Sequence, residues 1–230
     1  IVAAGGMKGG DYYTINFEMS DPVESYTHLD AEGNSNCYIL QGPGFYTFDV
    51  GMAGNGKYPG KDDDVTDTDF TIEELGFDPA KLITSDKFKL DWLWASGTSF
   101  DAIKASGVTD DEDIVEKIIT NIALSGTDGI MQIQLAEAAS SLSGNIMVAL
   151  YEDTNKNSKC DAKEKIVWSW HLWLGSPVAQ HYKFANTDTD EAWNNTDWYM
   201  LGRNLGAESN ELGNPRSAGL YYQSGRKDPF

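Results

Sequence analysis

Short hydrophobic runs, separated by Gly, Asp, Asn and Pro, recur along most of the chain. In the segment YYTINFEM, residues 12–19, apolar side chains occupy every second position from Tyr13 to Phe17. This two-residue period is that of a half-buried β-strand. Many short strands with such punctuation are typical of a sandwich rather than a helix bundle or a parallel α/β sheet. We therefore predict an all-β fold, an antiparallel β-sandwich with Greek-key-like connections.

Two groups of runs suggest how the strands pair. NCYIL and GFYTFDV flank a turn at Pro43 and Gly44, which predicts a hairpin. Four further β-rich runs cover 117–126, 129–138, 144–153 and 165–175, and we expect a meander or part of a Greek key there. In the last run, the alternation predicts a core face of Ile166, Trp168, Trp170, Leu172 and Leu174, and an opposite face of Val167, Ser169, His171 and Trp173.

One segment, TDDEDIVEKII at 109–119, favours a helix instead. Thr109 can cap the first turn while Glu112 reaches back in a capping box. The acidic residues that follow Thr109 suit the positive end of the helix dipole. We expect a single short helix inserted between strands, and an irregular C-terminal segment beyond it.

The formal charge of −19 narrows the classes of partner. Such a chain repels nucleic-acid phosphates and anionic lipid at long range. No run reaches the roughly 18 apolar residues of a membrane-spanning helix. We therefore expect no nucleic-acid partner and no direct membrane span. The only two cysteines, Cys37 and Cys160, are too few for a disulfide framework, and we expect two free thiols.

The segment EDTNKNSKCDAKE, residues 152–164, has the ligand spacing of a calcium loop. It joins two predicted strands, not two helices, and Ser158 stands where such loops normally have Gly. No cofactor is required by the sequence, and the open alternatives are a structural Ca²⁺ that staples a hairpin and a solvated polar turn. The candidate calcium ligands, at loop positions 1, 3, 5, 7, 9 and 12, are Asp153, Asn155, Asn157, Lys159, Asp161 and Glu164.

Motifs of catalysis are missing from the sequence or lack their context. The segment GMAGNGKY, residues 51–58, begins like a phosphate-binding loop but continues with Tyr58 and Pro59 instead of a Ser or Thr and a helix. The three histidines form no zinc pair, and there is no G-x-S-x-G elbow. The number of carboxylates does not identify a glycosidase pair, because their separation cannot be read from sequence. We therefore expect no enzymatic activity.

Seven tryptophans could supply a sugar-stacking platform, although alternating tryptophans are more simply explained as core residues. Large apolar side chains at the surface are the informative exceptions to burial. We predict that the exposed candidates, and with them any ligand-binding residues, are Trp173, Trp193 and Trp198.

Five segments in this order, SNCYIL, GPGFYTF, IVWSWHLWL, GRNLGA and GLYYQSGRKDPF, resemble a module of fimbrillin-family surface proteins from Gram-negative anaerobes. The resemblance implies an extracellular β-sandwich followed by a region reminiscent of a C-type-lectin-like fold, in adhesins, fimbrial tips or surface anchors. No catalytic residue comes with it. It leads us to expect three segments: 1–33 as a strand and linker from an upstream domain, 34–178 as the sandwich, and 179–230 as an irregular C-terminal subdomain.

The expected function is that of a cell-surface adhesion or pilus-associated spacer and display scaffold, either outer-membrane-associated or fimbrial. Its partners would be other surface or pilus subunits, and function would lie in strand pairing with them and in exposed loops. The alternative function is a carbohydrate-binding module that recognises host or microbial glycans.

Overall fold

The computed structural model describes residues 26–31, 33, 35–53, 70–71, 87–125, 128–133, 142–175, 181–184, 198–222 and 228. Within these ranges the chain forms twelve β-strands and two α-helices. The strands are β1 (Thr27–His28), β2 (Cys37–Leu40), β3 (Gly44–Asp49), β4 (Met52–Ala53), β5 (Phe70–Thr71), β6 (Phe88–Ser96), β7 (Ile119–Ser125), β8 (Asp128–Ile133), β9 (Gly144–Glu152), β10 (Lys165–Leu174), β11 (His181–Phe184) and β12 (Trp198–Leu201). The helices are α1 (Thr98–Ala105) and α2 (Asp111–Glu116).

Two four-stranded sheets dominate, which confirms that the fold is rich in strands and poor in helices. The first sheet has the order β1-β3-β8-β7 and the second β2-β10-β9-β6, while β4-β5 and β11-β12 form two small ribbons. The expected purely antiparallel arrangement is wrong, because β1 lies parallel to β3 and β2 lies parallel to β10. In the second sheet β2 pairs with β10, which lies far away in the sequence. The alternation of polar and apolar residues within a strand does not predict which distant strand it pairs with.

The predicted hairpin between β2 and β3 is also wrong. The chain leaves the second sheet at Leu40 and enters the first at Gly44, so the turn crosses between sheets. Both strands direct aromatic side chains into the same core, where the rings of Tyr38 and Phe48 lie 5.4 Å apart. Phe48 also packs edge-on against Trp170, at 5.1 Å between centroids. Side chains from both sheets thus join in one hydrophobic cluster.

The strand β10 confirms most of its predicted core face. Trp170, Leu172 and Leu174 are essentially fully buried, and Trp168 packs against the core. Ile166 departs from the pattern and is exposed, while Val167 is buried in the core cluster. A register shift between Ile166 and Trp168 explains the difference, since one extra residue in a bulge reverses the faces on either side of it.

The opposite face of β10 is buried as well, which the alternation does not predict. Ser169, His171 and Trp173 are all less than 5% exposed. Residues from the C-terminal part of the chain lie on this face: Ser169 Oγ donates to Asp228 Oδ1 at 2.7 Å, and Asn145 Nδ2 donates to the Gly206 carbonyl at 3.0 Å. The second sheet is therefore covered on both faces. The predicted division at residue 179 stays a prediction, as does that at 33, since 1–25 lie outside the described residues.

The described ranges contain two α-helices, whereas we predicted a single one, and α2 is the helix at the predicted position. In α2 the N-cap is Asp110 rather than Thr109, and its carboxylate accepts from the backbone amides of Glu112 and Asp113. The helix α1 begins after Gly97, and its first amide donates to Glu208 from the C-terminal part of the chain. None of the helices in the described ranges is both long and apolar enough to cross a membrane.

Candidate functional site

The calcium-like loop forms the turn of the β9-β10 hairpin, as its flanking sequence predicts. The two strands pair antiparallel from Glu152 and Lys165 onward, so the loop closes the end of the second sheet. Asp153 and Glu164, at the two ends of the loop, are 4% and 9% exposed. Because a buried carboxylate is costly without partners, the loop must supply donors for both groups.

Backbone amides of the loop supply these donors. Asp153 accepts from the amides of Asn157 and Ser158 at 3.2 and 3.0 Å. Glu164 accepts from the amide and the hydroxyl of Thr154 at 2.9 and 3.0 Å, and from the amide of Asn155 at 3.3 Å. The turn is thus wound around its two buried carboxylates.

Two residues of the loop have left-handed backbone conformations, Lys156 with φ 61° and Ser158 with φ 59°. A non-Gly residue in this region is uncommon. Ser158 adopts it at the loop position where Gly is usual, so the missing glycine does not prevent the sharp turn.

The remaining candidate ligands lie around Asp161. The side-chain amides of Asn155 and Asn157 donate to Asp161 Oδ2 at 2.8 and 3.5 Å. Their carbonyl oxygens accept from the amides of Asn157 and Lys159. The backbone hydrogen bond from Lys163, together with those from the two asparagines, holds the pKa of Asp161 below its usual value. The Lys159 ammonium points away from the loop to an ion pair with Glu112 on α2.

The loop therefore brings five side chains and one backbone carbonyl into a single turn. Within the described residues, however, no three His, Cys, Asp or Glu side chains are grouped as a metal site. The three carboxylates of the turn, Asp153, Asp161 and Glu164, are therefore not gathered around one point. A calcium loop also uses amide oxygens, a backbone carbonyl and water at its ninth position. The donor set fits Ca²⁺ by this chemistry, because hard oxygen ligands are those that calcium prefers.

A buried hydroxyl lies beneath the loop. Tyr151, two residues before Asp153 on β9, is 0% exposed, and its hydroxyl has no hydrogen-bond partner among the described residues. Asp91 of β6 lies on the same face, because its register partner Ala149 is two residues from Tyr151. Asp91 also accepts from the backbone amide of Cys160 at 3.0 Å, which draws the loop over this face. Burial raises the pKa of the tyrosine, and the charges of Asp91, Asp153 and Glu164 raise it further.

Beside the loop is a pocket of about 680 Å³. Its walls are β6, α2, the start of β7 and loop residues 158–161, and Trp92 contributes an aromatic ring. Burial raises the pKa of Asp91 in the wall, and raises that of the neighbouring Cys160 thiol to about 11. The polar groups of the lining include Asp91, Glu112, Asn121, Lys159 and Asp161.

The predicted tryptophan platform is not found in the described residues. Trp173 is 4% exposed on the covered face of β10, so the expectation that it is exposed is wrong. The alternation assigned it to the outer face correctly, but the C-terminal cover could not be read from that pattern. Trp193 lies outside the described residues, and Trp198 begins β12.

Sequence reasoning missed a polar cluster on the same covered face. Cys37 Sγ lies 3.2 Å from His171 Nδ1, and His171 Nε2 lies 2.9 Å from Asn145 Oδ1. The parallel register pairs His171 with Cys37, and the antiparallel register places Asn145 opposite Trp173. The three residues are more than 100 positions apart at their extremes, so no local motif reveals them.

This cluster has the order of contacts of a catalytic cysteine-histidine-asparagine triad, but it lacks the protonation states that catalysis needs. Burial raises the pKa of the Cys37 thiol to about 12 and lowers that of His171 to about 4. Both groups are therefore neutral near pH 7, whereas a cysteine nucleophile requires the thiolate. The cluster instead links the sheet to the C-terminal segment, because Asn145 donates onward to Gly206. Both cysteines are free, as expected from their number.

A scan against family models and searches of curated proteins and of solved structures find no match for the chain. The fimbrillin resemblance therefore remains a prediction from the five sequence segments. Any functional assignment depends on the geometry and chemistry of the chain's own residues.

Proposed function

We propose that the chain is a non-enzymatic, extracellular module of adhesion or fimbria-associated type, in which two mixed sheets pack as a Greek-key-like sandwich. The module acts as a spacer and display scaffold, either associated with the outer membrane or fimbrial, and its partners are other surface or pilus subunits. The ordered resemblance of five sequence segments to fimbrillin-family modules motivates the proposal.

The observation that carries this proposal is the double cover of the second sheet. The central strands β9 and β10 pack against the first sheet on one side and carry the contacts of Gly206 and Asp228 on the other. A sheet covered on both faces resists deformation, since interiors are close-packed. Rigidity of this kind suits a spacer, while the exposed residues of the 153–164 turn project from one end of the sheet as a display loop.

Surface localisation is the direct test of this function. Antibodies raised against the purified chain should label intact producing cells, and the protein should sediment with filaments sheared from them. A cytoplasmic marker that stays unlabelled is the control for cell integrity. Labelling that requires lysis would contradict the proposal.

The pocket beside the loop favours a second candidate function, the binding of carbohydrate. Its lining includes Trp92, which also packs against the hydrophobic core, together with hydrogen-bonding side chains such as Asp91, Asn121 and Asp161. Binding pockets typically combine an apolar lining with a few polar groups that orient the ligand. The aromatic residue that this proposal uses is Trp92, not the buried Trp173.

A glycan array tests this second function. The chain should retain one class of glycan, and Trp92→Ala should abolish the signal. Tyr221→Ala is the matched control, because Tyr221 is an exposed aromatic residue that does not line the pocket. Silence of the unmodified chain across the array would count against carbohydrate binding.

A further inference from the structure

We propose that the 153–164 turn binds one Ca²⁺. The ion is held by the side chains of Asp153, Asn155, Asn157 and Glu164, by the backbone carbonyl of Lys159, and through water by Asp161. This proposal is independent of the adhesive function, since a calcium-bound hairpin can stiffen a module of any role.

The oxygen count matches the needs of calcium. A bidentate Glu164 with four other direct oxygens and one water gives seven ligands, within the six to eight that Ca²⁺ takes. Mg²⁺ is smaller, requires near-ideal octahedral geometry and gives up its water reluctantly. A turn that offers this many protein oxygens therefore discriminates for calcium.

The two buried carboxylates of the turn have no lysine among their hydrogen-bond donors. The turn holds three carboxylates and three lysines, but Lys159 directs its ammonium to Glu112 and Lys163 lies near the exposed Asp161. The donors to Asp153 and Glu164 are backbone amides and the Thr154 hydroxyl, so these carboxylates are oriented but not neutralised by a basic side chain in the hydrogen bonds described.

The Tyr151 hydroxyl is an independent observation that points to a ligand. It is fully buried beneath the loop with no partner in the described part of the chain, on the strand that leads directly to Asp153. Buried hydroxyls in native proteins are nearly always satisfied, by protein or by ordered water. A water molecule on an ion bound in the turn would be a polar partner of the kind that this hydroxyl lacks among the described residues.

Calcium would also fix the wall of the neighbouring pocket. Loop residues 158–161 form part of that wall, Lys159 ties the loop to α2, and the Cys160 amide ties it to Asp91 on β6. An ion bound through the Lys159 carbonyl and Asp161 would restrain this stretch. The same site thus stiffens the hairpin and sets one side of the pocket.

Calorimetry and thermal unfolding of the chelator-treated chain test the site. We expect a dissociation constant of about 0.1 to 1 mM, in the range of extracellular calcium modules. At about 10 mM calcium the melting temperature should rise by about 3 to 11 °C, because the ion binds only the folded turn. An equal rise with magnesium, or no rise with calcium, would overturn the proposal.

Variants distinguish loss of the ion site from a general loss of stability, because the quantity compared is the rise in melting temperature that calcium causes in each variant. Glu164→Gln should abolish most of the shift. Asp161→Asn, at an exposed position, keeps the test valid if the buried variant fails to fold. Asp113→Asn, an exposed carboxylate on α2, is the control and should retain the full shift. A shift that survives in both loop variants would assign calcium to another place and contradict the inference.

Tyr151→Phe tests the independent observation. In chelator this variant should melt no lower than the unmodified chain, because it removes a buried hydroxyl without a described partner. In calcium its affinity should fall several-fold. Unchanged affinity would remove Tyr151 from the argument for the site.

Discussion

At the scale of single residues, two glycines mark the point where β6 ends and β9 begins. Gly97 has φ 120°, and a Cβ built there would lie 2.4 Å from the Gly144 Cα. Position 97 therefore requires glycine for two reasons: the backbone has a positive φ, and there is no room for a Cβ. This contact sets the distance between the start of α1 and the central strand.

We expect Gly97→Ala to lower the free energy of unfolding by about 3 kcal/mol or more, since both strain and overlap must be relieved. Gly42→Ala is the matched control, because a Cβ at Gly42 meets nothing within 4 Å. The control should be neutral or slightly stabilising. Denaturant unfolding of both variants measures the difference, and equal stabilities would show that the two backbones are not in contact.

His171 makes stability depend on pH. Burial lowers its pKa from 6.5 to about 4, so the folded chain holds the neutral imidazole. Its contribution is fully present above about pH 6.5 and is lost as pH falls toward about 4, by up to about 3 kcal/mol. His171→Gln should remove this part of the pH dependence, while His28→Gln, at an exposed position, should keep it. Urea unfolding across this pH range measures the slope, and identical slopes in both variants would refute the assignment.

At the scale of elements, Glu208 anchors α1 to the C-terminal segment. Its carboxylate accepts from the Thr98 amide at 2.7 Å, the Ser143 hydroxyl at 2.8 Å and the Arg216 guanidinium at 2.6 Å. Desolvation would raise the pKa of this carboxyl, but the hydrogen bonds from Thr98, Ser143 and Arg216 outweigh it, and the net pKa is lowered. The negative charge also lies at the positive end of the helix dipole.

Glu208→Gln should therefore lower stability by about 2 kcal/mol, as it removes the charge from three hydrogen bonds at a nearly buried site. Glu211→Gln, three residues further along in an exposed position, should change stability by less than about 0.5 kcal/mol. Thermal unfolding should show the loss as a decrease of about 4 to 8 °C in Tm for a chain of this size. A loss no larger than that of the control would mean that the carboxylate does not cap the helix.

Elements with a local signal could be predicted, and those set by distant contacts could not. The strand identity of β10 and its buried Trp170 follow from alternation, and the hairpin turn 153–164 follows from its flanking strands and ligand spacing. The parallel partner of β10 and the cover over Trp173 depend on residues far away in sequence. The helix α1 was missed because its N-terminal partner is Glu208, 110 residues further along, instead of a local side-chain cap.

At the scale of the whole molecule, the C-terminal segment forms a layer that the sequence pattern treats as irregular. Residues 204–222 have little regular structure. Even so, the Arg216 guanidinium forms ion pairs with Asp101 on α1 at 2.5 Å and with Glu208 at 2.6 Å. Tyr222 lies near Cys37: burial raises the pKa of the tyrosine, and Cys37 and then Asp228 raise it further. The layer and the cluster of Cys37, His171 and Asn145 are thus expected to open together.

The thiol of Cys37 reports this opening. With a pKa of about 12 instead of 9, it has about 10³-fold less thiolate than an ordinary cysteine at the same pH. In a Cys160→Ser background, modification by a disulfide reagent should therefore be very slow. Arg216→Met removes the ion pair of the layer with Asp101 on α1 and the Arg216–Glu208 ion pair within the layer. It should accelerate modification about 10-fold or more if the layer opens as a local unit. Glu211→Gln should leave the rate unchanged. If a core variant of equal global stability accelerates the reaction as much, the layer opens only with the whole fold and the prediction of a separate unit is wrong.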